Sequence, residues 1–258
     1  SPLGYEVAKE ENVRYSKKSF QDIRKNATEE WEKLLSRIQI KSTDRNDLTL
    51  FYTCLYRVFL SPANVTSYDH RYLATDGSIQ QTNNFTYYSS WSMWDSYRTK
   101  FPLITLIDPA TMQDISISLS KLYKYGKKDW ATKHESTPTV RTEHSIAVIL
   151  DAYKKGILFD LSDGYEGFKK DMETLQTQRP DQAFETSIDL WSMSEIAKLL
   201  GKEEDFIMYG KRAEELFRST WLKDFKDINE SFTKMRGSGL YQGTRWQYRW
   251  AVPQYLDI

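Results

Sequence analysis

The feature that most constrains this chain is the three- and four-residue spacing of its apolar side chains, which recurs along most of its length. In "SFQDIRKNATEEWEKLLSRIQI", Phe20, Ile23, Ala27, Trp31, Leu34 and Ile38 fall on one stripe of a helix. "DLTLFYTCLYRVFL" repeats the pattern, with Asp47 as the expected N-cap and Pro62 as a stop. Asp108 followed by Pro109 predicts another helix start, because the aspartate caps it and a first-turn proline loses no needed hydrogen bond. That helix carries Met112, Ile115, Leu119 and Leu122, and Gly126 can close it. Further helices are expected over 142–156, 183–201 and 203–221, and strands only near 71–74 and 78–81. Helices of this length, joined by long loops, stack as antiparallel pairs. The expected fold is therefore all-α.

The loops themselves are unusual. Segments 67–98, 127–144 and 223–250 are long and rich in rings, amides and acids, a composition that suits binding better than mere connection. Aromatics make up 14% of the chain. Ring faces pack on the C–H faces of sugars, and planar amides and carboxylates match sugar hydroxyls. The 36 basic and 36 acidic residues cancel, so no net field draws the chain to nucleic acid or an anionic membrane surface. No apolar run approaches the roughly 18 residues that a bilayer span needs. Cys54, the single cysteine, lies in an apolar run and is expected to be buried and inert. N-x-[ST] triplets begin at Asn26, Asn64, Asn84 and Asn229, which is compatible with export; a bacterial cytoplasmic location is equally compatible.

Three clusters carry possible chemistry. In "WSMWDSYR", a helix start would bring Trp91, Trp94 and Arg98 to one face beside Asp95; the site could be a ring platform for a sugar or an Asp95–Arg98 pair with core tryptophans. "YDHRY" offers Asp69 and Arg71 between tyrosines. "HESTPTVRTEH" holds His134, Glu135, Glu143 and His144, but the spacing fits no zinc motif. A nucleophile elbow, a P-loop and a dinucleotide fingerprint are all absent.

The strings "FYTCLYRVFLSPANV", "YDHRY", "YSSWSMWDSYRTKFPLITLIDP", "HSIAVILDAYKKG", "IAKLLGK" and "WQYRWAVPQ" together resemble, in order, the motifs of glycoside hydrolase family 92, the calcium-dependent exo-acting α-mannosidases. The resemblance implies part of an (α/α)6 barrel over 19–258, with 1–18 as a linker from an N-terminal β-sandwich domain. It implies calcium as cofactor and a mannose-containing glycan as substrate. It also implies that calcium ligands and the general base lie in C-terminal barrel helices of the same polypeptide. Substrate contacts are then expected from Asp69, Arg71, Trp94, Asp95, Arg98, Arg245, Trp246 and Gln247.

One position departs from the family pattern. Where family members usually carry the glutamate that protonates the leaving oxygen, this chain has Gln242, in "QGTRWQY". An amide cannot supply that proton. An alkoxide leaving group, with a conjugate-acid pKa of roughly 15, needs one. A phosphate monoester, whose second pKa is about 6, leaves as a stable anion. The expectation is cleavage of a mannose-1-phosphodiester with inversion, with Gln242 and Arg245 facing the phosphate. The open alternatives are an ordinary exo-α-mannosidase that uses Glu135 or Glu143 as its acid, and a non-catalytic mannose-binding protein.

Overall fold

The computed structural model describes residues 1–82, 84–128, 142–236 and 239–258. Most of them are helical. The first eighteen residues, expected as a linker, carry helix α1 (Tyr5–Ser16), in which only Val7 is buried. Helix α2 (Phe20–Leu35) begins on a reciprocal cap: Ser19 Oγ accepts from the Asp22 amide at 3.1 Å, and the Asp22 carboxylate accepts from the Ser19 amide at 3.2 Å. Its stripe meets α3 (Arg45–Phe59), where the rings of Trp31 and Tyr56 lie 4.4 Å apart. Even so, no residue of α2 is fully buried, and Phe20 is 72% exposed.

Two expectations for α3 are corrected. Its N-cap is Asp44, which accepts from the Asn46 amide at 2.7 Å; Asp47 sits one turn later and takes the Ser42 hydroxyl. Cys54 is exposed rather than buried, because it shares a face with Leu50, itself 66% exposed.

Between α3 and the next helices run two short antiparallel ladders. Strand β1 (Ala63–Asn64) pairs with β4 (Tyr88–Ser89), and β2 (Arg71–Leu73) pairs with β3 (Ile79–Gln81), placing Tyr72 opposite Gln80. Tyr72 and Tyr87 stack at 4.0 Å and form a small core of their own with Ala74. Helices α4 (Met93–Ser96) and α5 (Lys100–Ile107) follow.

Helix α6 (Pro109–Lys124) starts as its sequence predicts, with Asp108 accepting from the Thr111 amide and hydroxyl. Its expected core residues Met112, Ile115, Leu119 and Leu122 are all buried, and Gly126 turns left-handed beyond its end. It packs against α5, α7 (Ser145–Lys154) and α8 (Tyr165–Met172). A Cβ on Gly167 would stand 2.2 Å from the Tyr123 carbonyl oxygen, so α6 and α8 approach more closely than any side chain would permit.

Helix α9 (Pro180–Leu199) is central. It packs against α7, α8 and, most extensively, α10 (Glu203–Thr220), to which the turn 200–202 joins it as a helical hairpin. The short helix α11 (Arg245–Tyr248) lies near the C-terminal end, where Tyr248, Val252 and Leu240 complete a second core with Phe184, Phe217 and Phe225.

Candidate functional site

Helix α9 is wrapped by protein on almost every side, yet its buried positions include Glu185 and Asp189, four residues apart and therefore on one face. They are 9% and 2% exposed. Buried carboxylates demand partners. The partner is His144, the residue before α7, whose left-handed backbone (φ 67°) begins that helix. Its Nδ1 donates to Asp189, 3.1 Å from each carboxylate oxygen. Its Nε2 lies 3.8 Å from Glu185 Oε2, too far for a direct hydrogen bond. Glu185 is oriented in turn by Trp94, whose Nε1–H donates to Oε1 at 2.8 Å. Burial alone would push the imidazole pKa down; the adjoining Asp189 and Glu185 carboxylates override it and raise it to about 10. At neutral pH, His144 is thus an imidazolium between two carboxylates. The Tyr97 ring lies over it, 4.7 Å between centroids, with a buried hydroxyl that has no hydrogen-bond partner among the described residues.

A second element reaches the same place. The Tyr241 ring meets Trp94 edge-on at 5.0 Å. Both backbone polar groups of Tyr241 are held: its N–H donates to buried Asp181 at 2.9 Å, and its carbonyl accepts from the Tyr248 hydroxyl at 2.8 Å. Arg179 holds Asp181 with two bonds of 3.1 Å. The next residue, Gln242, is exposed and has a positive φ of 49°, and its amide donates to the Tyr241 hydroxyl at 3.3 Å. Gly243 must be glycine, since a Cβ there would lie 2.6 Å from the Tyr248 ring. A cavity of about 420 Å³ opens between these parts, and His144, Glu185, Asp189, Glu143, Arg179 and Tyr241 all line it.

The expected site residues divide. Glu143 lines the cavity, Trp94 donates to Glu185 on its wall, and Gln242, not itself a lining residue, donates to the hydroxyl of Tyr241, which is one. Asp95 and Arg98 are exposed and not paired with each other; Asp95 takes the Ser92 hydroxyl, and the Arg98 guanidinium lies 4.3 Å over the Tyr97 ring. Asp69 and Arg71 pair with each other, two nitrogens of Arg71 lying 2.6 Å from Asp69 Oδ2. Arg71, together with the Ser67 hydroxyl, holds the Asp69 carboxyl down to a pKa of about 2. Three further expected residues have their observed contacts close by in the sequence. Arg245 faces Asp224 and Glu230, at 3.6 and 3.9 Å; Trp246 stacks on Phe232 and donates to the Glu230 carbonyl; Gln247 caps α11 through the Thr244 amide. Glu135 and His134 lie outside the described residues.

Sequence reasoning missed Glu185, Asp189, Arg179 and Asp181. The available signal was "FETSIDLWS", two acids at helical spacing inside a run too apolar to be a solvent face.

Residues 6–183 match the model of the glycosyl hydrolase family 92 catalytic domain. The chain belongs to that family. Its structure is similar to that of CcMan5, a family 92 glycosyl hydrolase, with a TM-score of 0.83 at 29% identity over 100% of this chain and 39% of that one. A family 92 α-mannosidase from Bacteroides thetaiotaomicron gives 0.78 at 21% identity, over 97% of this chain and 38% of its own. The family 92 inverting mannosidase BT2199 from Bacteroides thetaiotaomicron VPI-5482 gives 0.74 at 19%, over 93% and 38%. At those identities the last two speak for the fold alone. No curated protein is a match. The chain is thus part of the family 92 helical barrel and spans about two-fifths of the length of these solved relatives.

Calcium, generally required in family 92, is not fitted by the residues described. Among them no three His, Cys, Asp or Glu side chains are grouped to hold a metal ion. Of the buried carboxylates on the cavity wall, Asp189 is committed with both oxygens to the His144 ring, and Glu185 accepts from Trp94 through one of its two. A hard cation needs six or more oxygens, and a cationic ring among them would repel it.

Proposed function

We propose that the protein containing this chain hydrolyses a terminal α-mannosyl linkage with inversion, and that the bond it cuts joins mannose to phosphate. The observation that carries this reading is the amide at 242, hydrogen-bonded to Tyr241 of the cavity wall, where the family's acid is expected. Water would attack the anomeric carbon, the bond from that carbon to the phosphate oxygen would break, and a phosphate monoester would depart with the electron pair. No proton need reach it. The attacking water would give its proton to a base contributed by C-terminal helices of the same polypeptide, which, with a preceding β-sandwich domain, would complete the enzyme.

Within this reading the cavity residues bind and orient. Trp94 and Tyr241 offer ring faces to the sugar, and Asp95 and Arg98 stand exposed nearby for its hydroxyls. On the leaving-group side the cation is Arg179 rather than Arg245. Arg179 lines the cavity beside Tyr241 and is bound to Asp181 through Nε and Nη2. The Gln242 amide can donate to a phosphate oxygen that a glutamate would repel.

A second reading, an ordinary exo-α-mannosidase, draws on Glu143, a half-buried carboxylate on the cavity wall. One assay separates the two: the full-length protein with calcium is given mannose-1-phospho-6-mannose and neutral mannobioses, and free mannose is followed. Preference for the phosphodiester is expected. Preference for neutral disaccharides would transfer the case to Glu143, and sugar binding without turnover would make the protein a lectin-like module.

A further inference from the structure

We propose that His144 Nε2 and Glu185 Oε2 form a donor–acceptor pair that grips a single hydroxyl of the sugar in the cavity. The inference rests on the reading that this cavity takes a sugar, and it names a contact that reading leaves unassigned.

The argument is one of unfilled valence. His144 is 4% exposed, and its Nδ1 is used by Asp189, yet its Nε2 has no hydrogen-bond partner among the described residues. Buried N–H groups rarely stay unmatched, and one on a charged ring is costlier still. The nearest acceptor is Glu185 Oε2 at 3.8 Å, and Glu185 is prevented from closing the gap by the Trp94 bond to its other oxygen. An oxygen placed beside the pair comes within hydrogen-bond reach of both atoms. It would accept from the imidazolium and donate to the carboxylate. A hydroxyl does both at once; an ether, a carbonyl or a phosphate oxygen cannot. Both residues line the cavity.

Each of the two bonds involves a charged partner, so deleting the hydroxyl should weaken binding by about 10- to 100-fold. The pair therefore predicts which kind of sugar analogue fails. Full-length protein is titrated with mannose and with the 2-, 3-, 4- and 6-deoxy derivatives, and the imidazole N–H resonances are followed by NMR on histidine-labelled protein. Mannose should shift the His144 Nε2–H signal, and one deoxy sugar should bind at least tenfold more weakly than the rest. In Glu185→Gln, the hydroxyl would meet a donor at the amide nitrogen or compete with Trp94 for the amide oxygen. That variant should lose the discrimination among deoxy sugars while keeping the His144–Asp189 signal that reports an intact fold. Mannose binding with an unmoved His144 resonance and equal affinities for all four derivatives would overturn the pair alone. Failure of mannose to bind the wild-type protein at all would overturn the pair together with the sugar reading.

Discussion

Under the proposed function, position 242 is where one functional group would decide between two chemistries. A carboxylic acid there can protonate an alkoxide as it leaves; an amide can only donate an N–H that stays where it is. Replacing Gln242 by Glu should therefore create turnover of neutral α-mannobiosides in the full-length protein and depress turnover of the phosphodiester, both measurable as released mannose. No gain on the neutral substrate would place the acid elsewhere. His144 allows a test that needs no substrate. Its folded-state pKa is raised above the ordinary 6.5 to about 10. Its contribution to stability is therefore complete below pH 6.5 and is lost as the pH climbs towards 10. Thermal melts of the wild type should fall more steeply over that interval than those of His144→Gln, and parallel curves would count against a charged imidazole. Asp69 runs the other way. Its carboxyl is depressed to about 2, so the Asp69–Arg71 contact persists at all mildly acidic pH values and loosens only as the pH falls from about 4 to about 2.

At the scale of elements, α9 and the 239–244 segment act together through Asp181. Asp181 is buried and bonded to both the Tyr241 amide and Arg179. Asp181→Ala removes these acceptors and should destabilise the protein by about 1–3 kcal/mol in denaturant titrations. Gly243→Ala drives a methyl into the Tyr248 ring and should cost about 1–3 kcal/mol by overpacking. These same elements show what the sequence reveals and what it hides. The one-sided stripes of α2 and α6 are legible because each helix has a wet face, and caps such as Asp108 mark where they start. The start of α3 is ambiguous because Asp44 and Asp47 both sit ahead of the apolar run, and only the fold says which amide each one reaches. Helix α9 is harder to read. Protein surrounds it, so Glu185, Ser187, Asp189 and Ser192 are all buried and polar, and no periodic contrast separates functional positions from packing ones. The rings of "WQYRW" are hard to assign for a related reason: Trp246 and Arg245 contact neighbours at 224–232, whereas Tyr241, one turn earlier, meets Trp94 and lines the cavity.

At the scale of the whole molecule, the cavity carries binding groups, while the proposed base is assigned to helices outside these 258 residues. The isolated chain should accordingly show no mannose release under conditions where the full-length protein is active, and detectable turnover would mean that the base is already present among Glu143 and its neighbours. The exposed stripe of α2 and the exposed Leu50 face of α3 lie at the opposite end of the sequence from the 241–248 segment. Those faces invite the ring to be closed by further helices. The double fastening of Tyr241, amide on one side and carbonyl on the other, has a wider implication. The backbone leading into 242 is fastened by Asp181 and Tyr248 through the main chain of Tyr241, not through the side chain at 242. Such a mount would tolerate a change of tool: under the proposed function, exchanging glutamate for glutamine would leave the holder untouched, and a barrel of this kind would pass from one class of glycosidic bond to another in a single codon.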